Sequence, residues 1–107
     1  MDTAQLRAAI ETATGLDVSL LELTGMPAQA LVLVLLIEQS AVTESGKAIA
    51  TERRWQLELW QKTYSESARD ALTATLRELG LGTRIVGAES RRESRYIVTL
   101  YQITKKE

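Results

Sequence analysis

Apolar residues recur along this chain with two periods, one helical and one alternating, and the switches between them outline its elements. Leu6, Ala9, Ile10 and Ala13 fall at helical spacing. Asp2 or Thr3 can cap that first helix, with Gln5 reaching back from the first turn, and Gly15 ends it. Leu16 to Leu23 is apolar without a clear period and Thr24-Gly25-Met26-Pro27 reads as a turn, so this stretch is expected to be a partly buried connector. Ala30 to Glu38 fits either a buried strand or a core helix opened by Pro27, and its shortness and β-branched content favour the strand. Leu31, Leu33, Leu35 and Ile37 would then face one way and Val32, Val34 and Leu36 the other. A strand apolar on both faces needs cover on both. Two helices can supply one side, which leaves the other to a second subunit or to the connector before Pro27.

In Arg53-Arg54-Trp55-Gln56-Leu57-Glu58-Leu59-Trp60-Gln61-Lys62, alternation puts Trp55, Leu57 and Leu59 on one face. Trp60 falls on the other, among Arg54, Gln56, Glu58 and Lys62. An indole on a solvated face suggests a partner surface, unless it lies flat over its polar neighbours or under a loop. Residues 39–47 read as a mobile polar loop that makes the two strands a long hairpin. Ser65 or Ser67 caps a second helix with Glu66 and Asp70 in its first turn, Ala68, Leu72, Leu76 and Leu79 on its inner face and Gly80 as its left-handed stop. Residues 82–90 and 96–104 form two more strands joined by the charged turn Arg91-Arg92-Glu93-Ser94. The order helix, two strands, helix, two strands predicts an α+β fold, with an antiparallel four-stranded sheet and both helices on one face.

Composition narrows the chemistry. The 107 residues, 45% hydrophobic and 25% charged, describe one globular domain over residues 1–107. A net charge of −1 argues against a broad grip on nucleic acid. Cysteine and histidine are both absent, which removes disulfides, thiol catalysis, imidazole ligands and most familiar hydrolase constellations. The carboxylates Glu66 and Asp70 fit helix-dipole stabilisation better than catalysis. Gly80 and Gly82 stand at a helix end rather than in a phosphate loop. The expectation is a protein with no cofactor and no enzymatic activity. The longest apolar run, Ala30 to Ile37, is far shorter than the roughly 20 residues that span a bilayer, so no membrane association and no targeting signal are expected. Arg53-Arg54 and Arg91-Arg92, with Arg95 nearby, can meet phosphate, but Glu52 and Glu93 beside them favour cross-strand and intersubunit ion pairs.

These segments, taken in order, resemble a known family. Ala4-Gln5-Leu6-Arg7-Ala8-Ala9-Ile10, then Met26-Pro27-Ala28 leading into an apolar strand, then Trp55-Gln56-Leu57-Glu58-Leu59, an acidic helix and a closing Tyr96-Ile97-Val98-Thr99-Leu100-Tyr101-Gln102-Ile103 are similar to the tail terminator proteins of long-tailed bacteriophages. The unusually apolar Leu31–Ile37 strand and the short link after the second helix depart from that pattern. The resemblance implies a virion protein, assembled in the host cytoplasm, that forms a homohexameric ring at the head-proximal end of the tail. Such a ring stops tube growth, contacts the tail tube protein and the head-tail connector proteins, and lets DNA pass through its lumen. Trp60 and Tyr64 are then expected near a subunit or tube contact, and the 39–47 loop is expected to reorder on assembly. From the residues alone, a small α+β adaptor or regulatory domain that dimerises through sheet edges and binds a peptide or small ligand is the other reading.

Overall fold

Local sequence settles both helices of the computed structural model, which describes residues 2–23, 25, 27–42, 48–91 and 95–106, with only the backbone course for 37–42, 48–52, 91 and 106. Helix α1 (Thr3–Thr14) opens with a complete capping box. The Gln5 amide donates to Asp2 Oδ1 and the Asp2 amide to Gln5 Oε1, both at 2.8 Å. Its end is set by Gly15, at φ 71°. Helix α2 (Glu66–Glu78) is capped by Ser65, whose hydroxyl accepts from the Ala68 amide. It closes in a Schellman motif: the Leu81 amide donates to the Leu76 carbonyl and the Gly80 amide to that of Arg77, with Gly80 at φ 75°.

Five strands complete the fold: β1 (Val18–Leu20), β2 (Gln29–Val42), β3 (Ala48–Gln61), β4 (Gly82–Arg91) and β5 (Tyr96–Lys106). Their order across the sheet is β1-β2-β3-β5-β4. The architecture is α+β, but the sheet is five-stranded and mixed, correcting the antiparallel four-stranded expectation. The difference lies in the expected connector: Val18, Ser19 and Leu20 pair in parallel with Leu31, Val32 and Leu33. Only the exposed edge of β2 makes those three residues a strand.

Residues 39–42, expected in a loop, continue β2, so the hairpin arms are longer than the polar sequence suggests, while residues 43–47 lie outside the described residues. Likewise Arg91 ends β4, and 92–94 of the expected turn lie outside them. The alternation expected from Leu31 to Ile37 also breaks. A bulge between Leu35 and Ile37 brings Ile37 into register with Arg54 instead of continuing the row of Trp55.

Both helices pack on one face of the sheet. Leu6 and Ile10 of α1 and Leu72 and Leu76 of α2 join Leu31, Leu33, Trp55, Leu57, Leu59, Tyr101 and Ile103 in one buried cluster. Trp55 donates its indole N–H to Thr3 Oγ1 at 3.1 Å, which ties the start of α1 to β3. Tyr101 donates its phenol to the Arg69 carbonyl of α2 at 3.1 Å. Burial raises the Tyr101 pKa above the ordinary 10.0, with the Thr73 hydroxyl and the Arg69 charge opposing the shift in part.

Candidate interaction surfaces

Among the described residues no helix lies over the second face of the sheet, yet much of it is dry. Ala30, Val32, Tyr96 and Val98 all lie on this side and are buried. Their cover comes from longer side chains in the same rows. Trp60 stands between Ala30 and Val98 in the ladder, and Glu58 stands beside Val32. The indole is half-buried and donates to Glu58 Oε1 at 3.0 Å, while Gln56 donates to Glu58 Oε2 at 2.8 Å. Its ring meets Tyr96 edge-on, with centroids 5.4 Å apart and planes at 68°. The Tyr96 phenol donates to the Pro27 carbonyl, pinning the turn before β2 to this face. Trp60 thus lies among the polar neighbours that its strand provides, against small partners on either side.

The remaining candidate residues scatter. Val32 is fully buried and Val34 half-buried on the helix-free face, whereas Leu36 sits at the β2 bulge with its side chain half in solvent. Tyr64 is exposed in the link to α2, with the Arg69 guanidinium 5.9 Å from its ring centroid. Arg53 and Arg54 are half-buried and each is engaged with another group. Arg95 is exposed at φ 59°, directly before β5. Arg91 is placed only as the last residue of β4, and Arg92 lies outside the described residues.

Sequence reasoning missed the two lateral edges. One cross-strand row, Leu20–Leu33–Leu57–Tyr101–Ile85, runs through all five strands. Its inner three residues are buried, while its ends, Leu20 and Ile85, are each 42% exposed. Beside Leu20 stand Leu21, 76% exposed, and the bulge leucines 35 and 36. Beside Ile85 stands Val86, 61% exposed, at a second bulge between Ile85 and Gly87. The signal was present in Ile85-Val86-Gly87, where two apolar residues followed by glycine break the alternation as a bulge does.

A cleft of about 280 Å³ opens between the end of α1 and α2, lined by Ala13, Leu16, Ala68, Leu72 and their neighbours without a charged group. Among the described residues no cluster of acidic side chains is arranged to hold a metal ion, and no helix is long and apolar enough to cross a membrane.

No protein-family model matches the chain, and no curated protein matches it. Among solved structures, a chain of the "Virion of native gene transfer agent (GTA) particle" is 12% identical, with 96% of this chain and 88% of that chain covered and a TM-score of 0.44.

Proposed function

We propose that this protein is a non-enzymatic structural subunit of a phage-type virion, one that assembles with its own copies into a ring and ends a tail tube. The row from Leu20 to Ile85 carries this reading. A subunit that lives alone has little reason to leave apolar side chains exposed at both ends of a sheet, whereas a ring subunit needs an uncovered patch on each of two different sides. The order and spacing of segments shared with tail terminators supply the rest, including a six-fold ring, a tube on one face, the head connector on the other, and DNA passing through the lumen.

The mechanism is one of fit. A ring that complements the last tube layer on one face and offers no copy of that layer on the other stops polymerisation without any covalent step. Electron microscopy of the purified protein with and without tail tubes tests it. Six-fold rings seated at one tube end are expected; a chain that stays monomeric at high concentration and ignores tube ends overturns the reading. The cleft between α1 and α2 favours the adaptor alternative, in which a dimer binds a peptide or small ligand there. A solution mass of two copies, with a ligand protecting Ala68 and Leu72 from solvent, would establish that alternative instead.

A further inference from the structure

We propose that the two ends of the Leu20–Ile85 row are each other's partners: the Ile85/Val86 bulge of one copy packs against Leu20, Leu21, Leu35 and Leu36 of the next. This deepens the ring reading and rests on it. The surfaces differ, one built from a short strand, its following turn and the β2 bulge, the other from the β4 bulge, so the contact is head-to-tail rather than two-fold.

Register places the two patches level with each other. Leu20 and Ile85 end the same row, with no residue of stagger across the sheet. Side chains rather than backbone carry the contact. At both patches a register shift interrupts the ladder, between Leu35 and Ile37 and between Ile85 and Gly87, so it is the side chains there that meet the neighbour.

Leu21 adds an independent indication. It holds a left-handed backbone at φ 72°, a conformation that disfavours leucine and suits glycine or asparagine, while its side chain lies in solvent. Folding of the single copy gains little from a leucine there, and an apolar neighbour gains much. Charge agrees with the pairing. Glu22 is exposed beside Leu21 and Arg84 is exposed beside Ile85, so the two ends carry opposite signs next to their apolar residues.

The test uses purified protein and no tail component. Leu21→Asp and Val86→Asp each disable one end at a side chain that folding does not use, which unchanged circular dichroism confirms. By sedimentation velocity, each variant alone should stay monomeric at concentrations about tenfold above those that assemble the unchanged chain, since a carboxylate in an apolar contact removes at least that much affinity. An equimolar mixture should form dimers and nothing larger, because each variant keeps the end the other lacks. Variants that assemble like the unchanged chain, or a mixture that stays monomeric, overturn the proposal. Should an aspartate variant not fold, Leu21→Asn and Val86→Thr must reproduce the same pattern. Because the readout involves no tail tube, its failure overturns this contact alone, whereas the tail role falls only if rings ignore tube ends by electron microscopy.

Discussion

Replacing Trp60 with alanine measures how much of the indole serves the protein's own fold. Three contributions are deleted together. The edge-to-face contact with Tyr96, at 5.4 Å and 68°, contributes about 0.5–1.5 kcal/mol. Half-burial of the indole over Ala30 and Val98 contributes roughly 0.8–1.5 kcal/mol, taken as half the value for a large apolar side chain fully removed from water. The hydrogen bond to Glu58 adds only about 0.5 kcal/mol, because water replaces the donor at a half-exposed carboxylate. The sum is roughly 2–3.5 kcal/mol, against a total of about 5–15 kcal/mol for a domain of this size, so the variant still folds. Urea unfolding, followed through the remaining buried Trp55, should show the midpoint lowered by roughly 1–2 M. In a double-mutant cycle with Tyr96→Leu, the two changes should couple by about 0.5–1.5 kcal/mol. A loss below about 1 kcal/mol, together with complete loss of self-association, would show that the indole belongs to a partner and refute this reasoning.

Two further substitutions separate folding from assembly. Tyr101→Phe removes the hydrogen bond to the Arg69 carbonyl, so at neutral pH the variant should be less stable by about 0.5–1.5 kcal/mol. The wild-type phenol is held neutral when folded and ionises from 10.0 when unfolded, so its contribution is complete below that pH and is lost as pH rises through 10 toward the raised folded value. The advantage of the unchanged chain should therefore shrink as pH rises above 10, with a slope of at most about 1.4 kcal/mol per pH unit; curves that stay parallel in alkali would refute it. Leu21→Asn relieves the left-handed leucine and should raise Tm by roughly 2–4 °C while reducing self-association, and a lowered Tm would show that this side chain supports the fold.

What could be read from the sequence was what neighbours along the chain determine. The Asp2–Gln5 box, the Ser65 cap and the Gly80 stop are each complete within a few residues, so both helices and their inner faces were legible. The alternation around Trp55 and Trp60 gave the correct faces of β3 for the same reason. β1 could not be found this way, because Val18-Ser19-Leu20 is extended only by virtue of the β2 edge it meets, and Leu21 then turns through a backbone region leucine rarely adopts. The surroundings of Trp60 were equally hidden. Its bond to Glu58 is local, but Tyr96 arrives from β5 and the small neighbours from β2 and β5, so whether the indole is wet or covered is a property of the assembled sheet. The edge patches depend on two bulges, each of which shifts a register that pattern reading assumes constant.

The hairpin of β2 and β3 outruns the rest of the sheet. Its last pairs, Ser40 with Thr51, Ala41 with Ala50 and Val42 with Ala48, lie past the Glu52–Lys106 pair where β5 stops. Over that overhang each strand has a single neighbour among the described residues, and a lone two-stranded ribbon is marginal in water. These residues can therefore part and re-form without disturbing the layer beneath the helices, so their amides exchange with solvent long before those of Leu57 or Tyr101. Any body that settled on the overhang would supply a third element there, and its arrival would register first as slowed exchange in this ribbon.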